Sequence, residues 1–279
     1  MTRHLLKDKL ITSTANESIK AIRKLKDRKY RESTGTAYVE GVRQVIEAIQ
    51  QRVTIEQIIV TDIFLATMSD NEISKTLLSC SAPKMIVSDE VFRTFSLKEG
   101  PAGLAAVIRQ KWMNVAELSV GFSGVWLCLW EIADPGNLGT ILRTMDATAA
   151  QGVILAGNCT DPYDPTAIRA SMGGVFNKKM VKASLEELVK VINTQAITAI
   201  GTSNAAGKYY REVSYPQNML LIMGSERQGI PDKLRELCST MVSLPMKGVC
   251  DSLNLAVATG VMLYELLDQH AMKTGNDLP

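Results

Sequence analysis

The sequence predicts an α/β protein built as two units, and three observations carry that expectation. Short apolar segments rich in Val and Ile alternate with helix-patterned ones along the 279 residues, as strands joined by crossover helices do. The strand candidates of the second half are continuously apolar, which indicates a mostly parallel sheet covered on both faces. Residues 111–124 carry little periodicity and close on Gly121, Phe122, Ser123 and Gly124, so they read as a linker. At roughly 100–200 residues per domain, the length also allows two.

In the first unit, residues 1–110, the polar run 18–31 holds seven Lys and Arg and reads as a basic helix. Ala-Tyr-Val-Glu at 37–40 is a short strand, and Ile, Val and Ala recur at helical spacing through 42–51. The β-branched run 55–61 is a strand, 72–78 a helix, 84–87 a strand, 89–95 a helix and 104–109 a fourth strand. The second unit, residues 125–279, opens with the apolar strand 125–132. Further strands are expected at 153–155, 179–181, 197–200, 219–223 and 241–244, with helices between them. A helix over 254–270 closes the chain, with Leu255, Ala258, Met262 and Leu266 on one stripe.

Composition narrows the function classes. With 46% apolar and 22% charged residues, the chain is globular rather than disordered, collagen-like or disulfide-stapled. No apolar run approaches the ~18–20 residues of a membrane span, and the residues after Met1 turn polar at once, unlike a signal peptide. Five scattered cysteines without a C-x-x-C pattern fit free thiols in a reducing cytoplasm. His4 and His270 are the only histidines, so neither a histidine-ligated metal nor a Ser-His-Asp triad is expected. The P-loop, H-E-x-x-H, G-x-S-x-G and G-x-G-x-x-G patterns are absent.

Ligands of open α/β sheets bind beyond the carboxyl ends of the strands, and three such places stand out. Asn137 follows the strand 125–132, and Arg143 lies in the helix expected over 140–150. Gly224, Ser225 and Glu226 follow 219–223, with Gly224 able to admit a ligand close to the backbone. Ser252 and Asn254 follow 241–244, at the entrance of the last helix. Each segment alone is also an ordinary turn, with Asn137 capping a helix, Pro231 opening one, and Ser252 or Asn254 capping the last.

Together the three segments resemble the SpoU/TrmH branch of the SPOUT RNA methyltransferases. They read N-L-G-T-I-L-R at 137–143, G-S-E-R-Q-G at 224–229 and L-P-M-K-G-V-C-D-S-L-N-L-A-V-A at 244–258, in the family's order. Ala37-Tyr38-Val39-Glu40-Gly41 behind the basic helix resembles the ribosomal-protein-like substrate-binding extension of the family's rRNA enzymes. The resemblance implies methyl transfer from S-adenosylmethionine (AdoMet) to a ribose 2′-hydroxyl, a deep trefoil knot in the parallel-sheet unit, and a homodimer. It implies Asn137, Arg143, Glu226, Ser252 and Asn254 at the catalytic centre. The cofactor would lie among Thr202, Ser203, Asn204, Met223, Gly224, Ser225, Leu244, Pro245, Met246, Ser252 and Leu253, with Arg169 and Ser171 near the substrate. Arginine is a poor proton acceptor at neutral pH, so Arg143 is expected to grip phosphate and orient the ribose. Residues 145–150 depart from the glycine-containing stretch of many relatives.

RNA is thus the expected partner, rRNA ahead of tRNA. A non-catalytic RNA-binding assembly factor on the same fold and a base-modifying enzyme remain the alternatives. Charge distribution agrees: residues 1–52 hold twelve Lys and Arg against six Asp and Glu, although the whole chain is at only +2. Lys20, Arg23, Lys24, Lys26, Arg28, Lys29 and Arg31 are the expected phosphate-contacting arm.

Overall fold

The computed structural model describes residues 10–68, 72–97, 99–118 and 122–274. The reading of the extreme N-terminus and of Gly121 lies outside them. Two compact units emerge: residues Met1–Gln110 with Tyr163–Phe176, and Lys111–Pro162 with Asn177–Pro279.

The first unit is a four-stranded sheet of β1 (Thr36–Glu40), β2 (Ile55–Thr61), β3 (Lys84–Val87) and β4 (Leu104–Arg109). Its order is β1-β4-β2-β3, with β4 antiparallel to β1 and β2, and β2 parallel to β3. Ile19, Ile22, Tyr38, Ile59, Val87, Phe92 and Phe95 fill its core. The single basic helix expected over 18–31 is in fact two, Glu17–Lys24 and Arg28–Thr34. The break is encoded by Asp27, whose side chain accepts from Tyr30 N and caps a new helix. Gly35, at φ 64°, ends it in the left-handed conformation.

Tyr163–Phe176 interrupts the second half of the sequence yet packs into this unit. Arg31, 1% exposed, explains the attachment: its Nη1 donates to the carbonyls of Leu25 and Lys26 at 2.9 Å, and its Nη2 reaches Asp164 Oδ2 at 3.3 Å. Gly173 sits so close to Glu47 that an added Cβ would lie 2.4 Å from its Cγ.

The second unit is a seven-stranded sheet of β5 (Val125–Trp130), β6 (Gly152–Ala156), β7 (Lys179–Ala183), β8 (Ala199–Thr202), β9 (Lys208–Tyr209), β10 (Met219–Met223) and β11 (Cys238–Ser243). The order is β7-β6-β5-β10-β8-β11-β9 and every pairing is parallel. Its central strands are buried throughout, as their apolar runs require: Trp126, Cys128, Ile154, Leu220 and Ile222 are all fully enclosed. Parallel pairing puts the C-terminal ends of β5, β10, β8 and β11 along one edge, where the three motif-bearing loops begin.

Two helices frame that edge. One runs Pro135–Ala147, five residues earlier than the expected start, because Asp134 rather than Asn137 is the cap: its Oδ1 accepts from Asn137 N at 2.6 Å, with Pro135 in the first turn. The other, Leu255–Thr274, packs on it with Gly260 opposite Thr144. Among the described residues, no helix is long and apolar enough to cross a membrane. No group of three or more His, Cys, Asp and Glu there could hold a metal, and none of the five cysteines is in a disulfide.

Candidate active site

Asn254 is the anchor of the site. It precedes the last helix, and its Oδ1 accepts from Ala256 N at 2.9 Å and Val257 N at 3.3 Å. Those backbone donors fix which way its amide points. Its Nδ2 therefore faces outward and donates to Asn137 Oδ1 at 3.0 Å. That bond fixes the Asn137 amide in turn, and Asn137 Nδ2 donates to Glu226 Oε1 at 2.7 Å. The result is a directional chain from helix N-terminus to carboxylate. It ties together the loops after β11, β5 and β10, three segments remote in sequence.

Glu226 owes its position to the turn that carries it. Ser225 N donates to Gly229 O at 3.2 Å and Gly229 N returns to Ser225 O at 3.0 Å. Gly229 adopts φ 67°. An added Cβ on Gly224 would lie 2.2 Å from the Gly229 carbonyl carbon. The close approach at Gly224 is made by the loop's own backbone, which leaves no room for a side chain there.

Ser252 and Arg143 do not join the chain. Ser252 Oγ donates to Asp251 Oδ1 at 3.0 Å. Arg143 is exposed, and its side chain makes no hydrogen bond or ion pair among the described residues. Because its helix begins at Pro135, Arg143 stands about two turns in rather than one. At ~100° per residue it is also rotated roughly 120° from Asn137. It instead shares the exposed side of the helix with Thr140.

The expected cofactor residues gather at the ends of three adjacent strands. Thr202, Ser203 and Asn204 follow β8, Met223, Gly224 and Ser225 follow β10, and Leu244, Pro245, Met246, Ser252 and Leu253 follow β11. Thr202 Oγ1 lies 3.4 Å from both Ile222 O and Met223 Sδ, and Ser203 N donates to Val242 O at 2.9 Å. Among the described residues the backbone N–H groups of residues 246–253 have no protein acceptor. Free main-chain donors and acceptors beside half-buried apolar strand ends suit a ligand that combines adenine, ribose and an amino acid.

The expected RNA-contacting residues divide. Lys20, Lys24, Lys26, Arg28, Lys29 and Arg169 are exposed, Lys20 paired with Glu17 and Arg28 with Glu32. Arg31 and Ser171 are corrections: both are 1% exposed. Arg31 serves the internal network described above, and Ser171 Oγ donates to Ile168 O at 2.8 Å. Arg23 is half-buried and donates to Thr14 O. Sequence reasoning missed Asp134, whose position directly before Pro135 was the available signal, and Asp164 as the partner of Arg31, for which there was none.

Residues 124–264 match the SpoU rRNA Methylase family, and residues 16–106 match the MRM3-like substrate binding domain. A Synechocystis protein named as an uncharacterized tRNA/rRNA methyltransferase is 32% identical over 91% of this chain and 92% of its own length. The Bacillus subtilis 23S rRNA guanosine 2′-O-methyltransferase RlmP is 28% identical over 92% of this chain and 99% of its own. An AdoMet-bound rRNA methyltransferase from Sinorhizobium meliloti superposes with TM-score 0.82 at 29% identity, covering 92% of this chain and 97% of that one. The AdoMet complex of the SpoU methyltransferase AviRb from Streptomyces viridochromogenes gives 0.82 at 25%, covering 91% and 98%. With the all-parallel sheet and the three loops knitted at one edge, these matches establish that the chain belongs to the SpoU rRNA methylase family.

Proposed function

We propose that this protein transfers a methyl group from AdoMet to a ribose 2′-hydroxyl of ribosomal RNA. The observation that carries the proposal is the Asn254–Asn137–Glu226 chain, which fixes polar groups of three loops beside the strand ends suited to the cofactor. Full-length likeness to a 23S rRNA 2′-O-methyltransferase supports the substrate class. AdoMet, when bound, supplies an electrophilic methyl on a sulfonium.

The protein's own contribution is placement. The loops after β8, β10 and β11 hold the cofactor through main-chain groups. Glu226, held by Asn137, offers a carboxylate at the mouth of the site. Ser252 lies on the loop that enters the last helix. Arg143 grips the target phosphate and orients the ribose. Holding two reactants in line is worth about 7–11 kcal/mol of barrier in well-oriented systems.

Four further features belong to the proposal. Residues 1–110 bind RNA, 111–124 link, and 125–279 form the methyltransferase domain, whose chain is threaded into the family's trefoil knot. The enzyme is a cytoplasmic homodimer. An apolar groove between helices Pro135–Ala147 and Leu255–Thr274 supports the dimer, with Val257 and Tyr264 52% and 54% exposed along it. Such a patch is what a partner surface covers, and Arg143 stands on the helix Pro135–Ala147 that forms the groove's other wall. Tyr264→Arg is expected to convert the dimer to monomer in light scattering and to abolish turnover; a wild-type monomer at working concentration would contradict it.

Radiolabelled AdoMet incubated with ribosomal and transfer RNA tests the activity. Label is expected in rRNA, within dinucleotides that resist nuclease because their 2′-oxygen is blocked. AdoMet binding without transfer to either RNA would favour the non-catalytic factor, and label on a base would favour the base-modifying alternative.

A further inference from the structure

The first unit contains a cavity of about 290 Å³ that the proposed reaction does not use. Lys26, Tyr38, Glu40, Gln44, Leu97 and Arg169 are among its walls. Its volume is near the lower limit of the ~300–1,000 Å³ usual for small-molecule sites, so it suits a single ring system rather than a whole cofactor.

Glu40 is the unusual wall. It ends β1, and neutral donors hold it: Ser96 Oγ reaches Oε1 at 2.6 Å, while Leu97 N at 2.8 Å and the Tyr38 hydroxyl at 3.2 Å reach Oε2. Among the described residues no cation comes within ion-pair distance of it. Burial, with the Glu40 charge adding to it, keeps the Tyr38 phenol far above its ordinary range, so Tyr38 stays a donor. Both lone pairs of Oε2 are engaged, whereas Oε1 has one left. The carboxylate is thus oriented and one donor short. The other carboxylate of the cavity, Asp164, is already matched by Arg31. Lys26 and Arg169 supply exposed cations, and Leu97, 40% exposed, supplies an apolar surface.

We infer that this cavity receives one unpaired, amino-bearing base of the RNA substrate, with Glu40 Oε1 accepting from its exocyclic amine and Lys26 and Arg169 meeting the flanking phosphates. The inference rests on the RNA methyltransferase reading above. Sequence-specific RNA recognition favours such splayed bases, because A-form grooves hide base edges. An amine is the feature a lone acceptor can test, and it separates cytosine from uracil and adenine from hypoxanthine without change of ring size.

Isothermal titration of the full-length protein with CMP, UMP, AMP and IMP tests this. CMP is expected to bind about tenfold tighter than UMP, and AMP than IMP, the worth of one hydrogen bond to a charged group. Glu40→Gln is expected to bring each pair within about twofold while AdoMet binding stays unchanged; Arg169→Ala is expected to weaken all four alike and keep the preference. Equal affinities within each pair in the wild type, absence of binding by all four, or a preference that survives Glu40→Gln would overturn it. Methyl transfer to rRNA by the same preparation reports separately on the activity, so a failed pocket and a failed methyltransferase are distinguishable.

Discussion

The two sheets use polar side chains in opposite ways. At the edge of the seven-stranded sheet, Asn254, Asn137 and Glu226 direct their hydrogen bonds to one another, and the product is a fixed arrangement open to solvent. In the four-stranded unit, the buried Arg31 serves the fold itself. In the proposed activity the first arrangement positions chemistry, while the second secures architecture. Lys and Arg counts alone do not tell them apart, because burial decides the role.

Arg31→Ala should expose that difference most sharply. It removes the charged partner of Asp164 and leaves two buried carbonyl acceptors unmatched, a loss of about 1–3 kcal/mol. A urea midpoint should fall accordingly, and Arg31→Lys should recover less than half, since an ammonium lacks the guanidinium fork. A destabilisation within the range of an exposed arginine would remove the contrast.

Asn137→Ala reads the other side. Turnover is expected to drop about 100-fold, the usual worth of one preorganised donor, while AdoMet affinity stays within about twofold. Undiminished turnover would show that the amide chain is decoration. A smaller effect is expected from Lys24→Ala with Lys29→Ala. These exposed cations should leave stability alone and flatten the log–log salt dependence of RNA binding by roughly 0.7–0.9 for each phosphate no longer neutralised. An unchanged slope would place the RNA elsewhere.

His270 gives the smallest effect. Its Nε2 lies 3.0 Å from Pro216 O, and burial lowers its pKa below the ordinary value. The unfolded chain therefore takes up the proton first, so stability should fall modestly as pH drops through about 6.5, with no contribution above it. His270→Gln should flatten that slope in pH-dependent melting. A slope equal to the wild type would assign it to other groups.

Much of this was legible in the sequence. The bounds of β2, β3, β4 and β10 coincide with their expected ranges, because short, mainly apolar runs bounded by turn signals suit a buried pleated surface. The three motif loops were legible as sites because parallel strands bring their carboxyl ends to one edge. What escaped has identifiable causes. The break at Asp27 was hidden by the uniform basic character of residues 18–31. The early start at Pro135 was hidden because a glycine-rich helix, with Gly136 and Gly139 in its first turns, looks like a loop. The packing of Tyr163–Phe176 into the first unit depends on Arg31 meeting Asp164, a pairing of residues far apart in sequence that no local pattern records.

The proposed activity is tested most directly by transfer of radiolabel from AdoMet to ribosomal RNA, comparing the wild type with Asn137→Ala at matched AdoMet occupancy. The wild type should place a ribose 2′-O-methyl in rRNA, and the variant should do so at about one-hundredth of that rate. Equal rates, or a methyl group found on a base, would contradict the proposal.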